Sequence, residues 1–183
     1  MKIGILPIGH LDEAILLTIR EGLMRVFRDA ICMVVNEKFF LREGAFDRKR
    51  RQYKSPEILS EVQGYAVRMK GLDRVLGVMD ADIFVPELNF VFGQATCPGK
   101  AALISLHRLR PKFYGESPKM ELFLERALKE AVHELGHTLG LTHCSRSFCV
   151  MYFSNSISDT DVKQSLFCND CYLHATISIN ELR

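Results

Sequence analysis

The chain has 183 residues, a formal net charge of +2 and 48% hydrophobic residues. Such a chain can bury the core of one globular domain, and its near-neutral charge gives no general indication of a nucleic acid or a membrane surface as partner. The sequence shows neither an apolar run long enough to cross a bilayer nor a signal-peptide pattern at its N-terminus, so we expect a cytoplasmic protein that acts as a monomer.

The first elements predict a βαβ unit. Residues 2–8 (KIGILPI) form a short apolar run typical of a buried strand. Apolar residues recur at helical spacing between residues 12 and 28, with charged residues between them, which predicts an amphipathic helix. ICMVV at residues 31–35 predicts a second strand, and the crossover between the two strands should be right-handed.

A charged segment and a second helix follow. Residues 37–54 carry seven basic and three acidic side chains without clear periodicity, which indicates a charged loop, with a binding patch as the alternative. Ser55 is predicted as the N-cap of the helix and Pro56 as its first residue. The helix should end near Lys70, and residues 74–86 should contain a third strand.

The second half combines an antiparallel strand pair with further helices. Residues 89–95 (NFVFGQA) and 101–109 (AALISLHRL) flank a Pro-Gly turn and should pair antiparallel, the first as an edge strand interrupted by Gly93. A long helix is predicted from residue 117 to residue 140, and Asp159 is predicted to cap one last helix. This order predicts an α/β fold that ends in a small helical portion.

An HExxH motif lies on the predicted long helix. His133 and His137 are four residues apart, so both imidazoles leave the same helix face and can bind one Zn²⁺. Glu134 follows the first histidine and is the natural general base beside the metal. Gly140 can end the helix in a left-handed conformation and return the chain, so that His143 supplies a third nitrogen. The alternative is a set of hydrogen-bonded core histidines without metal.

Four of the six cysteines form a second candidate metal site. Their spacing is Cx4C followed by CxxC, which supplies four thiolates for a closed structural zinc site. Disulfides and unliganded buried thiols are the alternatives, and the expected intracellular location disfavours disulfides. The remaining cysteines, Cys32 and Cys97, lack partners at ligand spacing and should be free. The four predicted ligands are Cys144, Cys149, Cys168 and Cys171.

The two motifs together resemble a known family. HExxHxxGxxH followed by a methionine is the pattern of the metzincin metallopeptidases, and Met151, eight residues after His143, corresponds to the Met-turn residue. The histidine motif runs directly into Cx4CxM and a later CxxC, which resembles the archaemetzincins, a metzincin branch with a four-cysteine zinc site. The family pattern has one residue more between the methionine and the final CxxC than the sixteen found here.

The resemblance implies a single catalytic domain with an α+β, metzincin-like fold. A mixed twisted sheet and helices would form an upper subdomain at residues 1–140, and a small helical subdomain at residues 141–183 would carry the structural zinc. The resemblance also implies that an edge strand above the cleft pairs with an extended peptide. Residues 89–95 are the candidate strand, and an edge strand without a ligand is the alternative.

We therefore predict a zinc peptidase that acts on peptide or protein substrates and holds two zinc ions per chain, one catalytic and one structural. A zinc-bound water would attack the scissile carbonyl, while Glu134 takes its proton and returns one to the leaving amine. Tyr152 is a weak candidate for a second oxyanion donor, and a structural role for it is favoured. A catalytically silent zinc scaffold and a nucleic-acid-binding protein that uses the basic FDRKRRQ segment (residues 46–52) are the alternatives.

Overall fold

The computed structural model describes residues 1–37, 39 and 43–182. Within them the strands are β1 (Lys2–Ile8), β2 (Ile31–Val34), β3 (Phe46–Asp47), β4 (Gln52–Lys54), β5 (Arg74–Met79), β6 (Ile83–Phe84), β7 (Gly93–Ala95) and β8 (Ala101–Ser105). The α-helices are α1 (Glu13–Val26), α2 (Ser55–Arg68), α3 (Met120–Thr138), α4 (Ile157–Val162) and α5 (Asn169–Asn180). No helix in this described part of the chain is long and apolar enough to cross a membrane.

The main sheet is mixed and has the strand order β2-β1-β5-β8-β7. The four strands from β2 to β8 pair in parallel, and β7 at the edge pairs antiparallel with β8. The predicted βαβ unit, the antiparallel pair and the edge position of β7 are therefore confirmed. The edge strand is shorter than predicted, since only Gly93–Ala95 enters the sheet.

Helices cover both faces of this sheet. Side chains of a strand alternate between the two faces, so each strand contributes to two separate cores. Ile3 and Ile5 of β1 belong to the core that α1 and α3 cover, whereas Leu6 and Ile8 belong to the core beneath α2. Strands covered on both faces read as continuous apolar runs, which explains the sequence of β1 and β5. Helix α3 lies against β7 and β8, so its last turns are next to the sheet edge.

The charged segment at residues 37–54 is not simply a loop. The prediction of a loop there is wrong for β3 and β4, which form a small second sheet with β6; residues 38 and 40–42 lie outside the described residues. Arg50 donates to the carbonyl oxygens of Leu88 and Asn89 at 2.8 and 3.0 Å and lies over the Phe84 ring. Arg50 is therefore held by contacts with residues 84–89, which the periodicity of its own segment does not predict.

Two helix caps differ from the sequence prediction. Lys54 is the N-cap of α2, and Ser55 is its first residue, since the Ser55 hydroxyl donates instead to Gln94 Oε1 at 2.6 Å. Asp159 is the third residue of α4 and not an N-cap: its carboxylate accepts from the backbone of Ser156, which caps that helix.

The C-terminal portion contains two helices where one was predicted. Residues between α4 and α5 are extended because their backbone pairs with the cysteine-rich loop: Gln164 N donates to Phe148 O at 2.9 Å, and Val150 N donates to Leu166 O at 3.0 Å. These long-range hydrogen bonds stop the helix after Val162, and a new one begins at Asn169.

Candidate active site and metal centres

Two imidazoles on the last turns of α3 face each other with defined tautomers. Nδ1 of His133 lies 2.7 Å from the carbonyl oxygen of Val150, and Nδ1 of His137 lies 2.7 Å from that of Leu141. A carbonyl oxygen can only accept, so each Nδ1 carries the proton and donates. Each Nε2 therefore keeps its lone pair, and the two Nε2 atoms are 3.1 Å apart.

The third imidazole is brought in by the chain reversal at Gly140. This glycine has φ of +87°, and Leu141 N donates back to Gly136 O at 3.2 Å, as in a helix end with a left-handed residue. The reversal presents the Leu141 carbonyl to His137 and places the His143 ring 4.9 Å from the His137 ring and 5.3 Å from the His133 ring. One nitrogen from each histidine lies within 4.8 Å of the others.

The three histidines fit a zinc ion. With Zn–N distances near 2.0–2.1 Å, tetrahedral ligands are about 3.3 Å apart, close to the separation of the two Nε2 atoms. Two lone pairs at that distance, without a proton between them, repel each other unless a cation lies between. Burial lowers the pKa of His133 well below its usual value and also lowers the pKa of His137 and His143. Neutral imidazoles are the form that binds metal.

Glu134 is buried beside this cluster, with 5% of its surface exposed. Its side chain packs on the backbone of Gly93 in β7 so closely that a Cβ there would be 2.6 Å from Glu134 Cγ. Burial raises the pKa of Glu134 well above its usual value, and the neighbouring Glu130 carboxylate raises it further. The sheet edge and the helix thus hold one carboxylate against the three imidazoles.

Met151 forms an apolar floor below α3. It is fully buried, and a Cβ at Gly136 would lie 2.5 Å from its sulfur. The glycine between the two helical histidines therefore gives the methionine its place. The same loop supplies the Val150 carbonyl to His133, so this turn both supports the helix from below and orients one imidazole.

The four predicted cysteines form a second cluster next to the first. Their Sγ atoms lie within 4.8 Å of one another, and those of Cys144 and Cys168 are 3.9 Å apart. Tetrahedral zinc with Zn–S near 2.3 Å requires sulfurs about 3.8 Å apart, so the set fits this ion. Backbone N–H groups of Arg146 and Cys168 donate to Cys144 and Cys149 sulfurs at 3.5 and 3.3 Å, which stabilises thiolates.

The charge state of the cluster also fits a cation. Burial acts to raise the pKa of the Cys168 thiol, but hydrogen bonds from the Cys171 backbone and from Arg146 outweigh it and lower the pKa to about 6. Burial and the neighbouring thiols raise the pKa of Cys171. A bound cation would favour the thiolate form of all four cysteines. None of the six cysteines forms a disulfide in this structure.

A cavity of about 460 Å³ opens over the histidines and Glu134. One wall is the edge strand and the residues before it, 88–95, and the opposite wall is formed by Phe153, Ser154 and Asn155. Two further lining residues, Glu130 and Lys163, were not predicted from the sequence. Glu130 lies one helical turn before Glu134, so the helical spacing could have placed it on the same face as the proposed base. No sequence motif surrounds Lys163.

The other residues considered from the sequence have smaller roles. Tyr152 does not belong to the described cavity lining; its backbone N donates to Cys149 O at 2.9 Å. Cys97 does line the cavity, which its position in a predicted turn did not indicate, and its sulfur is 3.7 Å from Leu141 O. His10 and His174 are exposed, and His107 packs edge-on against Phe113.

Known proteins share this fold and are similar to this chain in the part of the sequence that contains both clusters. The profile of peptidase family M54 matches residues 21–176. The archaemetzincin of Methanocaldococcus jannaschii is 43% identical over 171 residues, which is 93% of this chain and 90% of that protein. The crystal structure of the archaemetzincin of Methanopyrus kandleri matches with a TM-score of 0.83 and 36% identity, covering 98% of this chain and 96% of that one. A zinc-dependent peptidase from Methanocorpusculum labreanum matches with a TM-score of 0.85 and 26% identity, covering 94% of this chain and 99% of that one.

Proposed function

Because this chain belongs to peptidase family M54, the archaemetzincins, and is a zinc metallopeptidase that acts on peptide or protein substrates, we propose a specific division of roles within its cleft. His133, His137 and His143 would hold the catalytic zinc through the nitrogens that face the cavity. When bound, zinc supplies Lewis acidity toward the scissile carbonyl and lowers the pKa of water, to about 7 in such sites.

Glu134 is the proposed general base. It would accept a proton from the attacking water and return one to the amine nitrogen as the peptide bond breaks. The observation that supports this role best is its position: a buried carboxylate, next to His133 in the chain and pressed against Gly93, lines the same cavity as the three imidazoles. Burial makes the carboxylate a stronger base, which suits a group that accepts a proton and then returns it.

The edge strand β7 is the proposed binding site for the peptide backbone. It pairs only with β8 among the described strands, and its outer edge borders the cavity. An extended peptide could add there as a further strand, because the backbone groups on that edge are unpaired within the sheet. An edge strand that binds nothing is the alternative, and a substrate-bound structure distinguishes the two.

We propose that a second zinc is held by Cys144, Cys149, Cys168 and Cys171 and has a structural role. Such sites contribute on the order of 10 kcal/mol of folding free energy. Residues 141–183 would then be a lower subdomain that this ion fastens beneath the upper subdomain at residues 1–140. A hydrogen bond between the two sites supports this view: the backbone N–H of Cys144, a predicted ligand of the second zinc, donates to the carbonyl oxygen of Met151, below the histidines, at 2.9 Å.

The test compares the wild type with Glu134→Ala in a digest of a peptide library, after metal analysis of both proteins. Glu134→Ala removes the base and no metal ligand, so both proteins should contain two zinc ions, and cleavage should fall by about 10²–10⁴-fold. Glu121→Ala, an exposed substitution in the first turn of the same helix, is the matched control and should leave cleavage unchanged.

Two outcomes would contradict the proposal. Equal cleavage by wild type and Glu134→Ala would remove Glu134 from the mechanism. Absence of cleavage by a wild type that holds both zinc ions would favour the zinc scaffold that binds peptides without hydrolysing them. The nucleic-acid alternative has less support, because Arg50 of the FDRKRRQ segment is already bound to two backbone carbonyls.

A further inference from the structure

A lysine lies buried at the bottom of the cleft. Lys163 follows the last residue of α4, and its side chain is 0% exposed. It nevertheless lines the same cavity as the three imidazoles and Glu134, which is itself 5% exposed. Burial of an ammonium is costly unless it is paired and hydrogen-bonded, so a lysine in this position calls for a physical reason.

The contacts of this lysine leave part of its bonding capacity unused. Its Nζ lies 2.9 Å from Glu130 Oε1, which also accepts a hydrogen bond from the Thr160 hydroxyl at 3.2 Å. An ammonium has three N–H donors. Apart from the ion pair, Nζ has no hydrogen bond with the described residues. Glu130 thus balances the charge of Lys163 without satisfying its donors.

A second unsatisfied donor belongs to the same cavity. The Ser154 Oγ atom is buried and has no hydrogen-bond partner in the described part of the chain. Only three buried side-chain atoms share this condition there; the third, Arg20 Nε, belongs to α1 and does not line the cavity. Two of the three therefore belong to residues that line one cavity, and both atoms can donate a hydrogen bond to an acceptor placed there.

The charge of the site indicates which acceptor fits. With the proposed zinc bound, the ion and the Lys163 ammonium carry three positive charges, and the Glu130 and Glu134 carboxylates carry two negative ones, so the lining keeps one net positive charge. One ammonium, partly neutralised by Glu130, and one hydroxyl match a singly charged group with two acceptor oxygens better than a doubly charged phosphate. A carboxylate is such a group, and charge-assisted hydrogen bonds to it are strong at buried sites.

We propose that Lys163 and Ser154 form a subsite that binds a carboxylate of the substrate. This inference rests on the proposed peptidase function and adds a specificity to it: peptides that place an acidic group in this part of the cleft bind and react preferentially. The carboxylate has two possible sources, the side chain of Asp or Glu and the C-terminal carboxylate of a short peptide. Lys163 is a specificity residue here, not a member of the catalytic group.

The experiment measures binding and does not require cleavage. Zinc-loaded Glu134→Ala protein is titrated with acetylated, amidated alanine hexapeptides in which one Glu occupies each position in turn, and with the matching Gln series. A third series carries Gln and a free C-terminal carboxylate. We expect about tenfold tighter binding of the Glu peptide at one position, or of the free-acid series if the terminal carboxylate is the ligand.

Two substitutions with opposite expected effects separate recognition from a structural ion pair. Lys163→Met should reduce the Glu-to-Gln ratio to about one. Glu130→Gln, of equal shape, removes the competing anion and should raise the ratio. If the pair were only structural, both changes would weaken all peptides alike and leave the ratio unchanged. Ser154→Ala, which breaks no ion pair, should lower the ratio severalfold.

A second variant controls for misfolding of Lys163→Met, which leaves the buried Glu130 carboxylate unpaired. Glu130→Gln combined with Lys163→Met leaves no unpaired buried charge and should also show a ratio near one, with both zinc ions retained. A ratio of one at every position and for the free acid in the Glu134→Ala protein overturns the inference, as does a preference that survives when either Lys163 variant is added to it. Absence of cleavage would instead contradict the peptidase proposal, and the binding ratio would still report on the subsite.

Discussion

Gly93 places the proposed base, so its replacement tests the geometry of the site. An alanine Cβ at position 93 would lie 2.6 Å from Glu134 Cγ, 2.7 Å from Glu134 Oε1 and 2.7 Å from the Leu103 carbonyl oxygen. Ordinary contacts between carbon atoms are about 3.5–4.0 Å, and the Leu103 carbonyl belongs to β8 and cannot move easily. The Glu134 side chain must therefore shift by about 1 Å, and the backbone at residue 93 must also move slightly away from the Leu103 carbonyl.

A shift of that size should be visible in the kinetics. Misplacement of a catalytic group by about 1 Å can cost about 100-fold in rate, equivalent to about 2.7 kcal/mol in the barrier. We expect Gly93→Ala to lower kcat by about that factor while both zinc ions stay bound, because none of the three heavy atoms nearest to the added Cβ belongs to an imidazole. The assay is the steady-state hydrolysis of a peptide that the wild type cleaves, with zinc content measured on the same samples.

The control is Gly44→Ala, since a Cβ at that position has no atom of the described residues within 4 Å. The decisive comparison is the double variant Gly93→Ala with Glu134→Ala. If the alanine lowers kcat through Glu134, it should not lower kcat further once that carboxylate is absent. A further loss of similar size in the double variant, or a wild-type kcat in Gly93→Ala, would refute the reasoning; a raised KM alone would place the effect on β7 as a peptide-binding strand.

Three further predictions concern the floor of the site and the metals. Gly136→Ala should lower the free energy of unfolding by about 1–3 kcal/mol in a denaturant titration, because the new methyl group overlaps Met151; Gly64→Ala, with its nearest contact at 3.5 Å, should not. Cys149→Ser should lower the affinity of both sites for zinc, measured by competition with a chromophoric chelator, because residue 149 precedes Val150, whose carbonyl orients His133. An unchanged zinc affinity of the histidine site would show that the two sites are merely adjacent. Graded chelator should remove one zinc first, from the site that includes the exposed His143, and simultaneous loss of both would contradict two separate sites.

The sequence and the structure agree most closely where the signals are local. The βαβ unit follows from apolar periodicity, and the position of His133 and His137 on one helix face follows from a four-residue spacing. The left-handed conformation of Gly140 also follows from a local signal, a glycine directly after the last turn of the helix. The failures at residues 37–54 and in the single last helix have a common cause, because hydrogen bonds to distant segments, such as that from Gln164 to Phe148, override the local pattern. The error at Asp159 is local, since Ser156 caps the helix instead.

By itself the sequence determined the identity of the candidate ligands and base, because helix pitch, a glycine turn and paired cysteines bring those groups together over short stretches of chain. Only the tertiary structure decided what surrounds them. The Val150 carbonyl that sets the tautomer of His133, the Gly93 backbone against Glu134 and the Lys163 ammonium beside Glu130 all come from other segments. Such contacts depend on how the elements pack, and no spacing along the chain encodes them.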